Sequence, residues 1–237
     1  MVPDVTGFDE AWDAADGIGG WLTRAQGRLL WDRAQALREG GTIVEIGSHQ
    51  GRSTVVLARA AQNVGARVTA IDPFVEGRLF GGRRTRDLFE ANTEAAGVRQ
   101  TVTLLAEYST RARPAWSDRI DLLYIDGKHD YWTFSDDLRW SAFLAPGGEI
   151  LVHDSFSSIG VTCGILARVL PSRRYTYVDR AGSLARFVLR PPTWRDRGRL
   201  LAQLPWFSRN VVVKVLLRLR LGRVAALLGH KGPYDPY

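Results

Sequence analysis

Apolar residues in this chain follow two alternating rhythms. Short runs rich in Val, Ile and Leu occur at 42–46, 67–72, 100–105, 120–125 and 148–153, the pattern of strands buried on both faces. Between them, 52–64, 84–96, 131–143 and 160–169 space their apolar positions as helices do. Strands alternating with helices predict a parallel sheet with helices on both faces. Upstream, Gly20 to Glu39 has a helical pattern through Trp21, Leu22, Leu29, Leu30 and Leu37, stopped by Gly40-Gly41. Downstream, runs near 174–178 and 184–189 joined by Arg180-Ala181-Gly182-Ser183 predict a terminal antiparallel hairpin. Pro191-Pro192 marks a boundary, and Pro205 to Leu228 is a further helical candidate. The expectation is an α/β domain over 41–190, a helical cap over 1–40 and a helical tail over 191–237.

The first strand carries the most chemistry. Ile43-Val44-Glu45-Ile46 runs into Gly47-Ser48-His49-Gln50-Gly51, and then into the helical pattern from Arg52-Ser53-Thr54 onward. Strand, glycine turn and helix open a nucleotide-binding type of α/β fold, in which ligands gather at the carboxyl ends of the strands. The turn is Gly47-x-x-x-Gly51 rather than G-x-G-x-x-G, which argues against a dinucleotide and for a cationic or zwitterionic adenosine derivative. Asp72 closes the second strand, where a carboxylate accepts hydrogen bonds from both ribose hydroxyls. Glu45, Gly47, Asp72, Asp126, His153 and Asp154 all fall at predicted strand ends, and so predict one site.

Two later stretches complete a pattern: Ile120-Asp121-Leu122-Leu123-Tyr124-Ile125-Asp126-Gly127-Lys128-His129 and Leu144-Ala145-Pro146-Gly147-Gly148-Glu149-Ile150-Leu151-Val152-His153-Asp154. With Val44 to Thr54 and Asp72, they resemble the motifs of class I S-adenosylmethionine-dependent methyltransferases over roughly residues 40 to 190. The branch they are similar to holds small-molecule O-methyltransferases and metal-dependent macrolide-sugar O-methyltransferases. The resemblance implies a Rossmann-like, seven-stranded, mostly parallel sheet with a terminal antiparallel hairpin. It implies S-adenosyl-L-methionine held by Glu45, Gly47, Ser48, Gly51, Ser53 and Asp72, with Glu107, Tyr108 and Ser109 near the adenine and Asp126 beside the donor. In that branch Asp-x-x-His pairs a metal-ligating Asp, here Asp126, with a His general base, here His129. Neutral imidazole can accept a proton at physiological pH, and Mg²⁺ can acidify a sugar hydroxyl. Where the branch has an acidic pair after the fifth strand, this chain has His153-Asp154. An imidazole there leaves three readings: a weaker Mg²⁺ site, a softer metal such as Mn²⁺, or no metal with His153 as a second base. The expected metal set is Asp126 and Asp154, with His153 beside them.

Aromatic residues Phe80, Tyr131, Trp132 and Phe156 are expected around the pocket, and Glu76 to Arg84, with its glycines, is expected as a closing loop. Asp136 and Asp137 read as a solvated helix face with Arg139. His49 reads as a local turn residue.

Charge sharpens the picture. The net charge is +7, yet residues 191 to 237 alone hold nine Lys or Arg against Asp196 and Asp235, so the rest is formally neutral. A neutral body without an Asn/Asp-Pro-Pro-Tyr signature argues against nucleic-acid methylation. Cys163 is the only cysteine, which suits a reducing, cytoplasmic setting, and the acidic start of the chain does not read as a signal peptide. The tail is too interrupted by charge to span a bilayer. Peripheral membrane contact and a homodimer both remain open, and on a single helical wheel Lys214 and Arg218 fall opposite Arg220 and Arg223. The expected acceptor is a sugar or oligosaccharide, or another small molecule such as a catechol. A donor-fold binding protein with a docking tail is the non-catalytic alternative.

Overall fold

The computed structural model describes residues 6–76 and 82–232. Seven strands form one sheet in the order β3-β2-β1-β4-β5-β7-β6. They are β1 (Thr42–Ile46), β2 (Arg67–Ile71), β3 (Val102–Leu105), β4 (Ile120–Ile125), β5 (Leu144–Val152), β6 (Tyr175–Ala181) and β7 (Leu184–Leu189). The first five run parallel, and β7 is antiparallel to both β5 and β6. Among the described residues, ten α-helices accompany them: α1 (Phe8–Asp16), α2 (Arg24–Gln35), α3 (Arg52–Val64), α4 (Gly82–Ala95), α5 (Ser109–Ala112), α6 (Tyr131–Asp137), α7 (Ile159–Gly164), α8 (Trp194–Leu201), α9 (Leu204–Arg218) and α10 (Gly222–Leu227).

The expected α/β architecture is present, with its hairpin at the β6 edge. Central strands β1 and β4 bury nearly every residue because helices cover both faces. One core lies under α1, α2 and α3, where Phe8, Trp12, Leu30 and Trp31 meet Val55, Leu57 and Leu122. The other contains Phe134, Trp140, Ile165, Tyr177 and Phe187. The N-terminal cap is therefore part of the domain's own core.

Three elements differ from expectation. The helix read from Gly20 begins only at Arg24, because Thr23 caps it: its side chain accepts from Gln26 N while Gln26 returns a bond to Thr23 N. That leaves Trp21 outside the helix and exposed. Helix α1 lies within the expected helical cap but upstream of the one helix read there. The helix read over 205–228 is two helices, α9 and α10, interrupted at 219–221, and α8 precedes it.

Candidate active site

Three backbone hydrogen bonds prolong the sheet beyond its strands: Gly47 N to Ile71 O (2.9 Å), Asp126 N to Ile46 O (2.8 Å) and His153 N to Ile125 O (2.9 Å). They draw the ends of β1, β4 and β5 side by side. The closeness has a steric condition. Gly47 has φ +89°, and a Cβ there would lie 2.2 Å from the Asp126 carbonyl oxygen, so only glycine fits.

Asp126, His129 and His153 converge, each offering a ligand atom within 4.8 Å of the others. His129 Nδ1 lies 2.7 Å from Asp154 Oδ2, and its Nε2 lies 3.4 Å from Asp126 Oδ1. His153 Nδ1 lies 3.2 Å from Asp126 Oδ1 yet makes no well-directed hydrogen bond, although the residue is buried. Tyr124 Oη donates to Asp126 Oδ2 (2.9 Å), and Ser157 Oγ donates to Asp154 Oδ1 (2.9 Å). His129 is the accessible member, its side chain 45% exposed, whereas Asp154 is buried.

The electrostatics follow from this crowding. Burial alone would lower the His129 pKa. Hydrogen bonds and charges from Asp126 and Asp154 outweigh burial and push it up to about 10. Burial opposes ionisation of Asp126, but His153 and His129 hold its carboxyl well below the usual range. Asp154 is also held low, chiefly by His129 against burial, and His153 is raised by Asp126. In this arrangement His129 carries a proton at neutral pH, contrary to the neutral imidazole expected from the sequence.

Asp154 departs from its expected role too. Its carboxylate is committed to His129 and Ser157, and the converging donor set is Asp126, His129 and His153. Two imidazoles and one carboxylate stand together, the three residues that the sequence reading named for catalysis, with His129 now among the candidate metal ligands. Mg²⁺ prefers oxygen, so imidazole donors favour a metal that accepts nitrogen more readily, such as Mn²⁺. The unpaired His153 Nδ1 aimed at Asp126 fits a cation between them.

The donor-side residues divide. Asp72 caps the glycine turn: Oδ2 accepts from His49 N (2.9 Å) and Oδ1 from Phe74 N (2.8 Å). Each oxygen keeps a lone pair for a ribose hydroxyl. Glu45 and Ser53 are committed to each other. Glu45 is fully buried and accepts hydrogen bonds from Ser53 Oγ and Thr54 Oγ1. Burial pushes its pKa up to about 7 against those bonds. The pair ties the first turn of α3 to the end of β1 and so shapes the turn from beneath. Gly51 takes φ +91° against the Phe89 ring, and the buried Ser48 hydroxyl has no hydrogen-bond partner among the described residues. Ser109 is also committed, donating to Asp137 (2.5 Å), while Glu107 and Tyr108 stay exposed. Asp137 is buried rather than solvated, and burial pushes its pKa up to about 6. Asp136 does pair with Arg139 at 3.2 Å.

Of the expected pocket aromatics, Phe156 is core, edge-on to Tyr177. Tyr131 and Trp132 stand at the start of α6, with Trp132 73% exposed. Phe80 and residues 77–81 of the expected closing loop lie outside the described residues.

Gln26 belongs to the site and is absent from the sequence reading. Fully buried, it accepts from Thr23 N (2.8 Å) at Oε1, donates to Ser183 Oγ (3.0 Å), and sets Oε1 3.4 Å from His153 Nε2. The Thr23 bond fixes the amide's orientation, so Nε2 of His153 faces an acceptor and carries hydrogen. The signal that could have found Gln26 is its capping box, Thr23-x-x-Gln26. The tail reaches the site as well. Asn210 Nδ2 donates to Phe156 O and Lys214 Nζ to Ser157 O, both at 2.9 Å. They brace a turn in which Asp154 and Phe156 take left-handed φ of 53° and 58°.

Residues 44–155 match the family described as Methyltransferase domain. Solved structures of similar fold include the O-methyltransferase from Bacillus cereus in complex with S-adenosylhomocysteine (21% identity, covering 80% of this chain and 93% of that one, TM-score 0.54). Another is the O-methyltransferase TomG from Streptomyces achromogenes, involved in tomaymycin synthesis, in complex with S-adenosylmethionine (19%, 80% and 92%, 0.55). A Clostridium thermocellum protein put forward as an rRNA methylase shares the fold equally (14%, 72% and 98%, 0.54). At these identities the likeness establishes the fold and leaves the acceptor open. Residues 44–155, which match a methyltransferase domain, lie within a seven-stranded sheet of the order β3-β2-β1-β4-β5-β7-β6 with antiparallel β7, and the chain shares its fold with these solved structures.

Proposed function

We infer that the chain transfers the methyl group of S-adenosylmethionine to a hydroxyl of a sugar or glycosylated metabolite, with His129 as the base. The observation carrying this reading is the half-exposed His129 imidazole held between Asp126 and Asp154. Two solved neighbours, from Bacillus cereus and Streptomyces achromogenes, are O-methyltransferases, which supports oxygen as the acceptor atom.

The donor sulfonium is already activated, so the protein's part is alignment and proton removal. Gly47, Ser48 and Gly51 leave room for the donor's amino-acid end, and Asp72 faces its ribose. Asp154 receives the Nδ1–H of His129 and turns Nε2 toward Asp126 and the mouth of the site. In the transfer, the acceptor hydroxyl's proton passes to His129 Nε2, its oxygen bonds the methyl carbon, and the carbon–sulfur bond breaks to leave neutral S-adenosylhomocysteine. His129 must be unprotonated for this, and a pKa near 10 keeps it charged while Asp126 faces it unopposed. Asp126 and His153 could hold a divalent cation, which when bound would supply the opposing charge and acidify the hydroxyl. Mn²⁺ suits these donors better than Mg²⁺. The lone cysteine suits a cytoplasmic setting.

The test is S-adenosylhomocysteine release over free and partly methylated sugars, oligosaccharides and catechols, each with Mn²⁺, Mg²⁺ or EDTA. Turnover on a sugar that EDTA stops and Mn²⁺ restores is expected. His129→Ala should lose about 10²–10⁴-fold in turnover while calorimetry shows S-adenosylhomocysteine still bound. Near-normal turnover by that variant removes His129 as the base, and turnover confined to catechols replaces the sugar reading.

A further inference from the structure

Helix α9 is built inside out for a helix that meets water. Its polar residues Asn210 and Lys214 face the protein, bonded to Phe156 O and Ser157 O, with Val213 buried between them. On the opposite side Val212, Val215 and Leu219 recur at i, i+3 and i+7, and all three are exposed, Leu219 by 63%. The chain then turns, and α10 folds back on α9, with Ala225 buried and Arg209 Nε donating to Leu228 O (2.9 Å). Leu221, Val224, Leu227 and Leu228 extend the apolar surface outward, Leu227 by 86%.

The same hairpin is cationic. Arg218 ends α9, Arg220 lies in the turn and Arg223 opens α10, all exposed. No residue from 197 to 232 is acidic. Because α9 and α10 are separate helices, the single-wheel objection to an amphipathic tail does not apply to them.

Other occupants fit less well. The helical stretch Trp194–Arg218 is long and apolar enough to cross a membrane by length and composition, but the inner face of α9 is bonded to the domain through Asn210 and Lys214, which a spanning helix would have to give up. A two-fold dimer through this face would oppose arginine to arginine without an intervening carboxylate. Single-stranded nucleic acid wants outward aromatic rings, and residues 208–232 contain none.

We propose that the outer face of α9 and α10 docks on an anionic lipid bilayer, with the valine and leucine side chains entering the interface and Arg218, Arg220 and Arg223 meeting acidic headgroups. The inner side of α9 rests on the turn that follows Asp154, so docking holds the mouth of the site beside the membrane surface. The acceptor's identity does not enter this argument, and binding to vesicles can be read without turnover.

Co-sedimentation of the full chain with vesicles of phosphatidylcholine, alone or mixed with phosphatidylglycerol, tests it. The wild type should partition about a hundredfold better onto the mixed vesicles, as three arginines at an anionic surface predict. Arg218→Glu/Arg220→Glu/Arg223→Glu should abolish that preference. Val212→Ser/Val215→Ser/Leu219→Ser should lose binding to both kinds of vesicle while keeping the wild-type melting transition and S-adenosylhomocysteine affinity. Equal partitioning of the wild type onto both vesicles, or none onto either, overturns the proposal. So does a stable dimer that the serine variant dissolves, or binding to RNA in preference to the mixed vesicles.

Discussion

Glu45→Gln isolates a stability term buried beneath the glycine turn. Glu45 ionises at about 7 in the folded chain and at 4.5 when free. Folded-state protonation therefore exceeds unfolded-state protonation between those values, and stability falls as pH rises through them. Once the carboxyl is ionised the burden reaches about 3 kcal/mol. Glutamine removes the charge and keeps one oxygen for Ser53 or Thr54, at the loss of about 1 kcal/mol of hydrogen bonding. The net gain above neutrality is then about 2 kcal/mol, which for a chain of this length raises the melting temperature by roughly 4–8 °C. Near pH 5 the gain disappears and the variant becomes slightly the weaker protein. Calorimetric melting from about pH 5 to about pH 8 reads both ends. If the variant melts below the wild type throughout, with a constant offset, Glu45 is ionised at neutral pH and is stabilised by its two hydroxyl donors, and the reasoning fails.

Gln26→Leu strands the Thr23 amide, the Ser183 hydroxyl and His153 Nε2, so a loss of about 2–4 kcal/mol in denaturant unfolding is expected; nitrogen NMR of His153 should also lose its Nε2–H tautomer, and an unchanged spectrum would refute the positioning role. Asp154→Asn takes away one of the two carboxylates that raise the His129 pKa. The acid limb of the turnover profile should move to lower pH while turnover falls about 10–100-fold, and an unmoved limb would show that Asp154 does not act on His129. Gly47→Ala should yield little folded protein by circular dichroism, because its Cβ meets the Asp126 carbonyl; an ordinary melting curve would mean that β1 and β4 separate readily.

Much of the architecture was legible because its signals are local. Continuous apolar runs mark strands covered on both faces, and Arg180-Ala181-Gly182-Ser183 marks the hairpin turn, so sheet and hairpin could be read along the chain. The site was legible wherever a strand end decided a position, as at Asp72, Asp126 and His153. What stayed hidden depends on side-chain commitments across the fold. Ser53 and Ser109 sit where a ligand contact is expected, yet Glu45 and Asp137 claim their hydroxyls. Asp154 could have faced a metal from its position in sequence, but the turn through Ser157 aims it at His129. Gln26, 127 residues before His153, carries no hint of that contact beyond its helix cap.

The bracing of Phe156 and Ser157 by α9 changes how this protein can be dissected. Pro191-Pro192 looks like a natural place to end a minimal enzyme, and everything beyond it like dispensable baggage. A chain ended there would lose the donors of two carbonyls lying two and three residues past Asp154. The turn that orients His129 would be free to relax, and inactivity of the shortened protein would report a collapsed active site rather than a missing anchor. The hydrogen-bonded support of this turn extends to Lys214, so the outer surface of the last helices is best tested by substitutions made side chain by side chain.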